Sequence, residues 1–389
     1  MKYESFFEKK LQICAFFCNF VPILCIFELQ KGVFMVKALI YRRLYEWYEI
    51  NHRILPWRDT DDAYRIWLSE VILQQTRVAQ GLDYYMRFVA RWPHVEDLAA
   101  ADEAEVLREW QGLGYYSRAR NLHKAAQQIV ESQKSKVESG EQSAYFFPKT
   151  YEDIRQLPGV GDYTAGAIAS FAYDLPYPAM DGNVYRVIAR LMDIDEAFDT
   201  NSGKKLFRQK IEELLDREHP RLFNSAIMEF GAIQCTPVIG DNCLTCPLQS
   251  VCASYAHGTA ELLPVRKARP KVRDRWFTYH IYVKKPPVSS QPSDVFTLLQ
   301  RRENPKDIWY HLYEFPCEET QGERLKVKGE RVISFTHVLS HQKIHARFLV
   351  HPVEELPDIS GAFCVSWKEL DNFVLSRLTL RVLDLIFPQ

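Results

Sequence analysis

Four cysteines fall within eighteen residues, spaced Cys235-x7-Cys243-x2-Cys246-x5-Cys252. Few patterns restrict a chain more, because thiols this crowded are gathered around a cation and the backbone between them must wrap it. Zinc and a [4Fe–4S] cluster are both held by four thiolates. Zinc sites more often use two CxxC-like knuckles, whereas this wide-narrow-wide spacing wraps a loop around a larger cubane. The spacing therefore points to a [4Fe–4S] cofactor with a structural role, since nothing near it indicates an electron partner. The other cysteines, at 14, 18, 25, 317 and 364, show no regular pairing. An odd total of nine argues against a secreted disulfide scaffold and for a reducing cytoplasm.

A length of 389 residues allows two or three domains. The formal charge of −1 neither supports nor excludes a nucleic-acid partner, but VRKARPKVRDR (265–275) carries six basic residues against one acid. Such a run is a solvated linker or lies beside phosphates. From 36 to 257 apolar residues recur at three and four, which predicts helices over 37–50, 63–80, 82–91, 103–110, 117–132, 151–156, 162–173, 183–193, 203–216 and 220–233. Residues 258–275, with Pro264 and Pro270, read as a linker. Beyond it the period changes to alternation, predicting strands over 275–285, 294–302, 331–337 and 343–353 and a final helix over 372–387. The expectation is a helical region over 35–257 joined to a smaller α+β domain over 276–389. The apolar stretch LQICAFFCNFVPILCIF (11–27) falls short of a membrane span. Because Met35 opens a more typical globular sequence, 1–34 is read as an extension, disordered or the product of a misassigned start.

Three constellations carry chemistry. In IWLSEVILQQT (66–76) the same-face neighbours of Glu70 are Ile66, Trp67, Leu73 and Gln74. An acid there is either paired with an arginine or is a general acid whose pKa is raised by desolvation. In LPGVGDYTAGAIA (157–169), Gly159 and Gly161 precede a helix and can offer backbone N–H groups to a phosphate, a helix-hairpin-helix clamp that binds DNA without reading its sequence. In PAMDGNVYRVIARL (178–191), Asp181 is an N-cap whose N–H donors favour the ionised form. A protonated Glu70 beside an ionised Asp181 would divide acid and electrostatic work as in glycoside hydrolysis.

With these segments quoted, the chain resembles the helix-hairpin-helix DNA glycosylases that carry an iron–sulfur cluster. Within that superfamily, LPWR (55–58), WLSEVILQQT (67–76), WQGLGYYSRARNLHKAA (110–126), LPGVGDYTAGAI and AMDGNVYRV resemble the MutY-type adenine DNA glycosylases. The resemblance implies monofunctional removal of adenine mispaired with 8-oxoguanine or guanine in double-stranded DNA, by a monomer in the cytoplasm or at a bacterial nucleoid, without a membrane. It implies that Glu70 protonates adenine and that Asp181 stabilises or briefly captures the oxocarbenium ion, with Asn183 and Tyr163 in support. Trp57, Arg58 and Glu229 would line the adenine pocket, and Gln75 and Tyr115 would fill or wedge the space beside the flipped base.

YEFP (313–316) and FTHVLSH (335–341) resemble the family's Nudix-like, 8-oxoguanine-reading domain, with Ser340 and His341 at the altered edge of the base. CEETQGERLKVKG after YEFP lacks the glutamates of a working Nudix hydrolase. Three departures from the family stand out. The first cysteine gap has seven residues instead of six, TPVIGDN within it has no basic residue, and Leu339 replaces phenylalanine. Endonuclease III-like lyase chemistry needs a lysine where Tyr163 stands, and a phenol cannot form an imine. A thymine or uracil mismatch glycosylase would not need the FTHVLSH domain, and a non-catalytic DNA-binding protein would not need both Glu70 and Asp181.

Overall fold

The change of period near residue 275 separates helices from strands in the computed structural model, which describes residues 35–138, 147–267, 272–284, 295–320, 322 and 331–386. The extension over 1–34 lies outside the described residues, as does part of the expected linker. Helices run in the order α1 (35–51), α2 (Ala63–Ile72), α3 (Val78–Arg91), α4 (Val95–Ala100), α5 (Glu103–Glu109), α6 (Ser117–Glu138), α7 (Tyr151–Arg155), α8 (Asp162–Tyr173), α9 (Gly182–Leu191), α10 (Asn201–Leu214), α11 (Pro220–Ile233) and α12 (Ala253–His257). Strands follow as β1 (Arg273–Lys284), β2 (Phe296–Arg301), β3 (Tyr313–Glu314), β4 (Cys317–Thr320), β5 (Arg331–Val338), β6 (Gln342–Val353) and β7 (Ala362–Ser366), and α13 (Arg377–Ile386) comes last. No helix among the described residues is long and apolar enough to cross a membrane.

The chain forms two units, one from residues up to 66 with 149–155 and 160–267, the other from 67–148, 156–159 and 268 onward. In the first, α8 is buried from Thr164 through Ala172. A helix apolar on every face belongs in a core, and α7 and α11 pack against it. Pro220 opens α11 at a position whose N–H would have no helical partner anyway. Helix α9 is amphipathic and packs on α10, α11 and α12.

In the second unit Phe88, Trp92 and Trp110 pack edge-on at centroid distances of 5.0 and 5.7 Å. Its seven-stranded mixed sheet has the order β3-β2-β1-β6-β5, with β4 on β1 and β7 on β2. Strands β1 and β6 are parallel from Arg273↔Gln342 to Lys284↔Val353. Alternation sends Phe277, Tyr279, Ile281 and Val283 of β1 inward with Ile344, Ala346, Phe348 and Val350 of β6. Leu378 and Val382 of α13 join that core.

One departure from the expected helices matters for the site. The helix predicted over 63–80 ends at Ile72, a turn spans Leu73–Thr76, and α3 then continues straight through Gly81, where the sequence pattern placed the break. Gly81 lets the Leu73 side chain pack close against α3, since a Cβ there would lie 2.7 Å from Leu73 Cδ2. Helix α4 and strands β3, β4 and β7 were not foreseen. All four are short, and periodicity needs length to register.

Candidate active site

Asp181 caps α9, accepting on one carboxyl oxygen from the Asn183 and Val184 N–H groups at 2.9 and 2.8 Å. Its other oxygen accepts from Asn183 Nδ2 at 2.7 Å. The approach to this cap is fixed by the fully buried Asn224, whose Oδ1 accepts from Ala179 N–H at 2.9 Å while its Nδ2 donates to Ser170 Oγ and Tyr177 O. Gly231 of α11 lets the two helices close on Asn183, since a Cβ there would stand 2.7 Å from Asn183 Cβ. Burial pushes the Asp181 carboxyl above the usual carboxylate range, and the cap donors and Arg186 pull it back only in part. The donors act in the direction expected from the sequence, and desolvation of the charged form acts against them.

Arg186 was not singled out in the sequence, yet it ties this cap to the cysteine loop. Its Nη2 donates to Asn183 Oδ1 at 2.9 Å and to Gly231 O, and its Nε donates to Cys235 O at 2.7 Å. Arg190, one turn on, donates to Ala260 O, Leu263 O, Thr236 O and Pro237 O and lies 3.4 Å from Cys235 Sγ. The signal available for both was a pair of arginines at i and i+4 inside the apolar run VYRVIARL, which has to bury one with the other.

Cys235, Cys243, Cys246 and Cys252 line one pocket with Arg190 and apolar walls from Val187, Leu191, Phe230 and Leu248. Burial pushes the Cys246 thiol up to about 12 and also raises Cys243. Four thiols lining one cavity fit a strongly cationic group that would draw them into the thiolate form. Among the described residues no three His, Cys, Asp or Glu side chains converge as a single-ion site. The extra residue of the first gap is accommodated in a loop bonded to itself, Thr236 Oγ1 donating to Val238 O and Asn242 Nδ2 donating to Thr236 Oγ1.

Trp57 is 2% exposed. Arg58 stacks over Phe171 at 4.0 Å with its Nη2 4.0 Å from the Met228 sulfur. Glu229, buried, is held by Arg53 through Nε, Nη2 and backbone N–H. Arg53 was another omission, since IN-H-R at the end of a helix reads as solvent-facing. Tyr163 lies in the first turn of α8, and Gly161 caps that helix with an exposed backbone. The hairpin before it is closed by Arg155, which binds Asp162 at 2.6 Å and Val160 O at 2.8 Å.

In the other unit Glu70 sits on α2 at 4% exposure, between Trp67 (fully buried) and Val71 (5%). Two residues past it the helix ends, and Gln75 takes φ 57° in the turn that follows. Tyr115 takes φ 48° in a second turn, after Gly112 and Gly114 at φ 100° and 74°. Left-handed backbone is unfavourable for side chains of this size and persists only where surroundings impose it. The imposing group is Arg118, at the start of α6 and absent from the sequence-based site. Its guanidinium donates to the carbonyls of Val71, Ile72 and Gln74 and, on the other side, to those of Leu113 and Gly114. Gln75 and Tyr115 are left exposed on the two turns it braces.

Gly159 has φ 77°, and a Cβ there would lie 2.8 Å from Asn121 Cβ, so only glycine fits. Ser340 and His341 form the exposed tip between β5 and β6, closed by Leu339 N–H donating to Gln342 O at 2.8 Å. Ser340 Oγ lies 3.1 Å from His341 Nδ1. Leu339, one of the departures noted above, packs against the core of the sheet.

Residues 68–217 match the family model of the HhH-GPD superfamily base excision DNA repair proteins. An adenine DNA glycosylase of Buchnera aphidicola subsp. Baizongia pistaciae is 30% identical over 351 residues, covering 87% of this chain and 93% of the relative. The adenine DNA glycosylase of Mus musculus is 40% identical over 240 residues, covering 59% of this chain and 44% of the relative, so the chain spans less than half of that protein. The solved structure of a thermostable thymine-DNA glycosylase aligns with 57% of this chain at 24% identity and a TM-score of 0.49. Identity of 30% held across almost the whole length of a relative shows that this chain belongs to the adenine DNA glycosylases of base excision repair.

Proposed function

We propose that the chain hydrolyses the N-glycosidic bond of adenine mispaired with 8-oxoguanine or guanine, without cutting the strand. In this reading Glu70 gives its proton to adenine, which leaves with the bonding electron pair of the broken bond. Asp181 faces the oxocarbenium ion so formed, held for that task by Asn183, and a water completes the hydrolysis. Tyr163 supports the site from α8, and Trp57, Arg58 and Glu229 line the base pocket. Gln75 and Tyr115 enter the duplex beside the flipped base. Gly159 and Gly161 present backbone to phosphate. Residues 276–389 act as a Nudix-like reader in which Ser340 and His341 meet the altered edge of 8-oxoguanine, joined through 258–275 to an excision region over 35–257. Cys235, Cys243, Cys246 and Cys252 would hold a [4Fe–4S] cluster, which supplies a structural cross-link when bound.

The observation that carries this reading is the pairing of Glu70, buried near the end of α2, with two exposed left-handed residues, Gln75 and Tyr115, that Arg118 holds in place. A buried acid next to braced, exposed side chains is what removal of a base from a stacked duplex requires. The test is excision from duplexes carrying adenine opposite 8-oxoguanine, G, C and T, with and without alkali. Release of adenine opposite 8-oxoguanine and G, with nicking only after alkali, is expected. Glu70→Gln should keep duplex binding and lose excision by about 10²–10⁴-fold, the usual worth of a positioned acid. Preferential release of thymine or uracil, or a Glu70→Gln variant of near wild-type rate, would overturn the assignment.

A further inference from the structure

The loop between β2 and β3 is built for something its fold does not require. Trp309 and His311 both lie in the left-handed region, at φ 58° and 66°, on either side of Tyr310. Two bulky left-handed residues in one short loop are strained, and strain of this kind gathers where a chain has a task. Behind the loop, Asp307 receives Arg275 and Arg302 at 2.5 and 2.6 Å, while Arg302 Nε donates to Ile308 O at 3.1 Å. The base of the loop therefore has no slack.

Its tip touches two other parts of the same unit. Arg120, on the first turn of α6, donates to Tyr310 O at 2.9 Å and lies over the Tyr310 ring at 5.2 Å. Glu103, at the start of α5, meets His311 Nδ1 at 3.1 Å. On the sheet side the Trp309 ring lies 6.0 Å from the ring of His337, on β5 and three residues before Ser340. Arg120 is two residues from Arg118, which braces the turns of Gln75 and Tyr115. An unbroken series of contacts thus runs from the tip that carries Ser340 to the helix turn that holds Gln75 and Tyr115.

We propose that Arg120, Glu103 and the Trp309–His311 loop are positioning residues that hold the β5–β6 tip in register with the first turn of α6, and so set the enzyme's discrimination between 8-oxoguanine and guanine opposite adenine. The proposal rests on the reader role given above to Ser340 and His341. A strained loop fixed at both ends suits this task because it transmits position without yielding. None of these residues touches the substrate in this scheme; they act through the hairpin on one side and α6 on the other.

The experiment measures single-turnover excision from A:8-oxoguanine and A:G duplexes with the full chain. Arg120→Met and Trp309→Ala should narrow the ratio of the two rates by about fivefold or more, the usual size of a coupling between sites. Arg120→Lys, which keeps a charged donor for Tyr310 O, should restore most of the ratio. Glu103→Ala, at an exposed helix start, is the mild variant and should narrow it by about twofold. In a Ser340→Ala, His341→Ala background, Arg120→Met should add nothing, because residues acting through one another are not additive. Equal slowing on both duplexes, or an unchanged ratio in Arg120→Met, Trp309→Ala and Glu103→Ala, overturns the positioning role. If the hairpin double variant narrows the ratio while the loop and Arg120 variants do not, this proposal alone falls. If the hairpin double variant keeps the wild-type ratio, the reader role falls and takes this proposal with it.

Discussion

Helices α6 and α9 each bring a buried arginine to a set of backbone carbonyls, and the two clamps achieve opposite things. On α9, Arg190 gathers carbonyls from 236, 237, 260 and 263, so a long loop is folded back and closed around the four cysteines. On α6, Arg118 gathers the end of α2 and the turn before Tyr115, and the residues next to its acceptors are forced into left-handed backbone. One clamp removes freedom from a loop. The other maintains strain and leaves the strained side chains exposed. A guanidinium can do either because its fixed fork of donors dictates where carbonyls must point, whatever that costs the residues between them.

The largest effect should come from Arg118→Met, which strands several carbonyls and releases both turns. A loss of about 3–5 kcal/mol in urea unfolding is expected. Excision should fall by about 10²-fold even at temperatures where the variant stays folded, as small misplacements do. Excision at the wild-type rate would erase the distinction between the clamps. Arg190→Met should cost about 3 kcal/mol for the same reason. If the four cysteines hold the proposed cluster, its mark should be faster loss of iron to a chelator, with folded, loaded enzyme excising adenine normally.

A third arginine cluster sharpens the contrast, because Arg275 and Arg302 meet mainly carboxylates, with the Ile308 carbonyl an added acceptor for Arg302. The Asp307 carboxyl lies at about 2. Burial alone would raise it, but bonds from Arg275, the Ile308 N–H and the Arg302 charge outweigh that. Since the folded value is depressed, its stabilisation is present above the unfolded carboxylate pKa and disappears as pH falls from about 4 through 2. Asp307→Asn should therefore cost about 2 kcal/mol at neutral pH, with the gap from wild type closing across that window in thermal melts. A gap that is constant with pH would show packing and not charge. The smallest effect is expected from Gln75→Gly, which relieves the left-handed strain against a more flexible unfolded chain. A net gain of up to about 1 kcal/mol is predicted, together with weaker excision, a trade that no residue of the α9 clamp should show.

The sequence reported some of this well and some not at all. The limits of α8 and α11 were legible because Gly161 and Pro220 mark them locally, and the cap at Asp181 because Asp-Gly-Asn before an apolar run is a local signature. The break after Ile72 was not legible. IWLSEVILQQT is helical by periodicity, and what stops the helix is Arg118, more than forty residues away. The burial that opposes the Asp181 cap donors was not legible for a related reason, since donors to a cap are read from adjacent residues while burial depends on the whole fold. The short strands β3, β4 and β7 left too little alternation to see.

Arg118 has a consequence for how such a chain can drift over generations. Its acceptors are the carbonyls of 71, 72, 74, 113 and 114, and a carbonyl is the same whatever side chain sits beside it. Substitutions at those positions leave the clamp intact provided the backbone path survives. Replacing the one guanidinium removes all of its bonds together. Away from Gly112 and Gly114, whose left-handed backbone disfavours side chains, the acceptor positions are therefore expected to tolerate more variation than Arg118 itself.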